Sequence, residues 1–99
     1  MQMIEVKAAD LAGLALDWAV AKAVNAYDGE YKFRPFSPST DWSQGGPLLA
    51  KHFRIVTGMV PSLDMWPDEP AELLPWVMRK IVEFELGEVV SVPAEVVSQ

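Results

Sequence analysis

Cysteine is absent from the chain. That excludes disulfides, thiolate metal sites and cysteine nucleophiles together. Histidine is nearly absent too, with His52 alone, so a metal site would have to be built from oxygen ligands. Asp64, Asp68, Glu69 and Glu72 are the densest acidic group, but they lack the spacing of a calcium loop. Capping and solvation of a helix start account for them, and no metal is expected. Long apolar runs are also missing. The best, Leu11 to Val24, is interrupted by Asp17 and Lys22 and is too short to span a bilayer. The opening Met1-Gln2-Met3-Ile4-Glu5-Val6-Lys7 has neither a basic lead nor an apolar core, so no signal peptide is expected. The expectation is a cytoplasmic protein that makes no use of a membrane.

Positive charge is scarce: eight Lys and Arg stand against fourteen Asp and Glu. The bases Lys32, Arg34, Lys51 and Arg54 fall in the middle of the chain, and the last third is strongly acidic. Nucleic-acid binding is therefore disfavoured, because phosphate contacts need clustered cations. What the chain does have is apolar mass. Half of it is hydrophobic, with four Trp and four Phe among 99 residues, enough for one domain to bury a core without staples.

Ile4-Glu5-Val6-Lys7 alternates apolar and charged residues, as a strand with one wet face does. Asp10 is placed to cap a helix over Leu11–Asn25, in which Leu11, Leu14, Ala15, Trp18 and Ala19 share a face, Asp17 and Lys22 are polar punctuation, and Gly13 allows a neighbour to come close. After the turn Asp28-Gly29, Tyr31-Lys32-Phe33-Arg34 alternates as a second strand, ended by Pro35. Residues 35–47 form an irregular loop. Pro47 then opens one or two helical turns to Phe53, followed by a strand over Ile55–Val60 with a bulge at Gly58. A second loop, Pro61–Pro70, leads into a helix to Leu86. That helix has an apolar stripe of Leu74, Val77, Met78, Ile81 and Phe84, outward Arg79, Lys80 and Glu83, a kink or separate turn at Pro75, and Gly87 as C-terminal stop. Val89–Val92 is the last strand, and residues past Ala94 fray. The fold expected is α+β: two main helices on one face of a small, mostly antiparallel or mixed sheet.

Two features invite a functional reading. The loop at 37–47 gathers Ser39, Thr40, Asp41, Trp42 and Gln44 beside Gly45-Gly46. It is either a pocket, with Trp42 as platform and Asp41 as anchor, or a loop that spends its polar groups on its own turns. Trp66, in a loop bounded by Pro and Asp, suits an interface or a cover over the edge of the core. Ser39, Asp41 and His52 have the residue types of a hydrolytic triad, but no serine of the loop sits in a nucleophile-elbow motif. No catalytic residue and no cofactor is assigned.

Ala15-Leu16-Asp17-Trp18-Ala19-Val20-Ala21-Lys22, Ser37-Pro38-Ser39-Thr40-Asp41-Trp42-Ser43-Gln44-Gly45-Gly46-Pro47, and Met78-Arg79 with Leu86-Gly87 and the strand to Pro93 together resemble the NinX-like family of lambdoid phages and prophages, over almost the whole chain. The pattern departs from the family's at Pro75-Trp76 and in the 61–70 loop. The resemblance implies a small phage or prophage accessory protein and brings no catalytic residues with it. The function expected is a non-enzymatic domain that binds a host or phage protein through Ser39, Thr40, Asp41, Trp42, Gln44 and Trp66. The alternative is a small-molecule-binding domain or minor enzyme using the 37–47 loop.

Overall fold

The computed structural model describes residues 2–24 and 37–97. Its elements are β1 (Met3–Lys7), α1 (Gly13–Ala23), α2 (Trp42–Met59), α3 (Pro70–Leu86), β2 (Val89–Pro93) and α4 (Ala94–Val97), with 3₁₀ turns at Ala8–Asp10 and Leu63–Met65. The turn at Asp28-Gly29, the strand at Tyr31–Arg34 and the helix end at Asn25 lie outside the described residues, as do two of the four central cations, Lys32 and Arg34.

The fold is α+β. β1 and β2 pair antiparallel, Met3 opposite Pro93 and Lys7 opposite Val89. The register sets Ile4 against Val92 and Val6 against Val90, so the apolar alternation of both strands falls on one face, which packs on the core. The main-chain bonding continues past both ends: Ala8 N–H donates to the Glu88 carbonyl and Ala94 N–H to Gln2, each at 2.8 Å.

α3 is the central helix and packs against both α1 and α2. Leu74, Val77, Met78, Ile81 and Val82 are its buried side chains. Phe84, expected in that stripe, is exposed, because the inward arc runs through Val82 instead. Arg79, expected to face water, turns back so that Nε donates to the Leu11 carbonyl at 2.6 Å. α3 runs through Pro75 as one span and ends at Gly87, whose φ of +100° suits glycine.

The start of α1 differs from expectation. Asp10 belongs to the preceding 3₁₀ turn, and the N-cap is Ala12, without a side-chain cap bond. Two extended residues intervene, which lets Leu11 bury its side chain and offer its carbonyl to Arg79. Gly13 then enters the helix at φ +57°, with open space where a Cβ would point. Its glycine serves backbone conformation, not close approach. Leu14 is exposed, whereas Asp17, expected as polar punctuation, is only 5% exposed.

The largest correction is α2. The strand expected at Ile55–Val60, with its bulge at Gly58, is helix as far as Met59, and so is the Trp42–Pro47 part of the expected loop. Gly45, His52 and Val56 are its buried residues, and Leu49 packs on the core from the same side. That spacing of three and four is helical. It outweighs the β propensity of Ile55, Val56 and Thr57, which is only a weak preference. Thr57 is accommodated by donating its hydroxyl to the carbonyls of Phe53 and Arg54. Pro47 is the sixth residue of α2 rather than its start, so one backbone hydrogen bond near the helix origin is lost. Within the described residues, Ala94–Val97 are helical. α4 packs against α1 and β2, and Val96 rests on the core.

Gly45 is where α2 meets α3. A Cβ there would overlap the Pro38 carbonyl oxygen and stand 2.6 Å from Leu74 Cδ1. At Gly46 it would meet only the Trp42 ring, at 3.9 Å. Gly45→Ala should therefore lower stability by about 1–3 kcal/mol through overpacking. Gly46→Ala should leave it unchanged or raise it by up to about 1 kcal/mol through helix propensity. Chemical denaturation of the two variants, read by circular dichroism, checks the pair. Equal midpoints would contradict the close contact.

Candidate functional site

The segment 37–44 is held from both directions. Downstream, Asp41 is the N-cap of α2. Its Oδ1 accepts from the Ser43 N–H at 2.9 Å and from the Ser43 hydroxyl at 2.6 Å, and its Oδ2 accepts from Gln44 Nε2 at 3.1 Å. Gln44 Oε1 accepts the Ser37 N–H at 2.7 Å, while the N–H groups of Thr40 and Asp41 donate to the Ser37 carbonyl. This is a capping arrangement extended by one turn: an acid at the cap, an amide three residues on, and a tight turn tied back to both. The Ser43 hydroxyl and N–H hold the Asp41 carboxyl below its ordinary value, outweighing the small opposing effect of desolvation.

Upstream, the segment is anchored to α1. The Ser39 N–H donates to Asp17 Oδ1 at 2.9 Å, a buried bond across 22 residues of sequence. Burial pushes the Asp17 carboxyl up. The Ser39 N–H, and then its hydroxyl, oppose that without cancelling it. The hydroxyl is itself buried near the carboxylate, without good hydrogen-bond geometry to any described residue. Asp17 is the residue that reading the sequence missed. Its signal was an acid in the middle of an otherwise apolar Ala/Leu helix, which is costly unless a donor meets it.

Of the residues expected to form a site, Asp41 and Gln44 therefore serve backbone groups of their own segment and of the start of α2, and Ser39 is held through its N–H by the Asp17 side chain. Thr40 is exposed, and Trp42 is 45% exposed at the first position of α2. Ser39, Thr40 and Trp42 line a depression of about 130 Å³ with Pro70, Ala71 and Leu74. That is below the few hundred Å³ typical of small-molecule pockets. His52 lies inside α2 and donates Nδ1–H to the Leu48 carbonyl at 2.9 Å, a local bond that involves neither Ser39 nor Asp41. Among the described residues no group of three acids or histidines is placed to hold a metal ion, and no helix is long and apolar enough to cross a membrane.

Trp66 sits elsewhere. Its Nε1 donates to the Val60 carbonyl at the end of α2, 2.9 Å away. Its ring centroid is 5.1 Å from that of Trp76 on α3 and 5.9 Å from that of Phe53 on α2. Phe53 is eleven residues along α2 from Trp42, about 16 Å of helix rise, so the two tryptophans mark different stretches of the α2 surface. Trp66 is half-buried and packs on the core. Around it the apolar side chains are open: Phe53 is 48% exposed, Leu63 67% and Met65 70%.

A model of the family described as Bacteriophage P22, NinX matches residues 7–71. The match contains the 37–47 segment and the 61–70 loop. It stops before Pro75-Trp76 and the later motifs, so it is shorter than the near whole-chain resemblance read from the sequence. No curated protein and no solved structure matches the chain.

Asp17→Ala should cost about 1–3 kcal/mol, because it strands the buried Ser39 N–H. Asp17→Asn keeps an acceptor without a buried charge and should be at least as stable as wild type at pH 7. The pH dependence follows from the raised native pKa. As pH falls through that value toward the ordinary 3.8, the folded state takes up protons before the unfolded chain does, and stability gains from this group. Asp41 acts in the opposite sense. Its contribution is present above 3.8 and is lost as pH falls through its lower native value. Subtracting the pH–stability curve of Asp17→Asn from that of wild type should isolate a gain on acidification. A difference curve that is flat or reversed would contradict the assignment.

Proposed function

The chain belongs to the family of bacteriophage P22 NinX, and on that premise we propose that it is a phage accessory protein that acts by binding another protein rather than by catalysis. The observation that carries this reading is the group of open apolar side chains at the end of α2 and the turn after it. Phe53, Leu63 and Met65 stand exposed around a Trp66 ring held rigid by its own hydrogen bond and by Trp76. Large apolar side chains grouped beside a fixed aromatic are what interfaces use as anchors. Trp42, exposed at the other end of α2, offers a second contact. The polar groups between Ser37 and Gln44 support the surface by fixing the start of α2. The partner is a host or phage protein, and the setting is the cytoplasm of the infected bacterium.

The test is site-directed photo-crosslinking with the full chain in extracts of infected cells. A crosslinking residue is placed at Leu63, at Trp42 or, as control, at the exposed Glu85 on the far part of α3. A discrete crosslinked species is expected from position 63, from position 42 or from both, and not from position 85. An identical pattern from all three positions would overturn the proposal.

A further inference from the structure

The apolar face around Trp66 has an acidic border. Asp64 lies between Leu63 and Met65 on the 3₁₀ turn, Asp68 and Glu69 follow Trp66, and Glu72 is in the first turn of α3. All four are exposed. Between Ile55 and Met78 the chain contains no Lys, Arg or His. Among the described residues none of these four carboxylates has an ion-pair partner. Of the two cations on α3, Arg79 donates to the Leu11 carbonyl, and Lys80 is placed over the Trp76 ring, 5.7 Å from its centroid, and pairs with Glu83 at 3.8 Å. Beside Phe53 in sequence stand the buried His52 and the exposed Arg54, with the exposed Lys51 one residue further.

We infer that this face, taken as the docking surface proposed above, accepts an amphipathic protein segment whose apolar residues sit on Phe53, Leu63 and Met65 and whose Lys or Arg side chains meet Asp64, Asp68, Glu69 and Glu72. Complementary potential is the argument. Apolar anchors fix where the segment lies, and opposite charge at the rim selects it and speeds its arrival. The same rim disfavours the other candidates. A second copy docked by two-fold symmetry would bring the same acids face to face. Nucleic acid and anionic lipid would set phosphates against them.

The experiment titrates the isotopically labelled full chain with three synthetic helical peptides, followed by amide chemical shifts. One is amphipathic in leucine and lysine. The second carries glutamate for lysine, and the third carries serine for leucine. The lysine–leucine peptide is expected to shift the amides of residue 53 and residues 62–69 first, to bind about tenfold or more tightly than either control, and to weaken steeply with salt. Leu63→Ser with Met65→Ser should lose about tenfold in affinity at unchanged melting temperature. Asp64→Asn with Asp68→Asn should narrow the preference for lysine over glutamate. If the glutamate–leucine peptide binds this face equally well, the charge selection is overturned while the docking reading stands. If neither leucine-bearing peptide shifts these amides, or if the Leu63/Met65 variant binds as wild type does, both are overturned.

Discussion

The Asp17 carboxylate is where α1 takes hold of the turn that starts α2. A buried acid is expensive in an apolar helix, and here the Ser39 N–H meets it. Once Ser39 is fixed, the Ser37 carbonyl and N–H are positioned for the Thr40, Asp41 and Gln44 bonds, and Asp41 in turn caps α2. α2 then sets Gly45 against Leu74 and so places α3. Arg79 closes the circuit from the other side by donating to Leu11, just before α1. Two charged side chains that look like surface residues in the sequence therefore hold the three long helices in relation to one another.

The parts of the fold that were legible in the sequence rest on short-range periodicity. β1 and β2 alternate, Trp18 is in the core, α3 has its apolar stripe, and Gly87 ends it where a left-handed residue is needed. The parts that were not legible depend on partners far along the chain. In short windows residues 42–59 divide into loop, turn and strand, because the β-branched run at 55–57 dominates there. The helical spacing of Gly45, Leu49, His52 and Val56 becomes visible only across the whole span. Asp17 and Arg79 have the composition of solvated residues, and only Ser39 and Leu11, 22 and 68 residues away, reveal their use.

The same contrast applies to the candidate site. Ser39, Asp41 and Gln44 beside two glycines suit a ligand loop, and those residue types suit a capped turn equally well. Their bonds lie within the turn and to α1. Trp66 was legible as a residue of interest. Its ring contacts with Phe53 and Trp76 were not, since only the packing of α2 against α3 brings the three rings together. The exposed apolar surface is thus assembled by the α2–α3 corner, and no single stretch of sequence announces it.

The pairing of Met3 with Pro93 and Lys7 with Val89 has a consequence for the order of assembly. During synthesis the first strand leaves the ribosome long before its only described partner strand exists. Ile4 and Val6 lack these partners until Val90 and Val92 have been made, and closing so wide a loop is entropically among the slowest kinds of contact to form. The helices can pair earlier, through contacts closer in sequence. In that order the two-stranded ribbon acts as a final clasp on an already collapsed helical body.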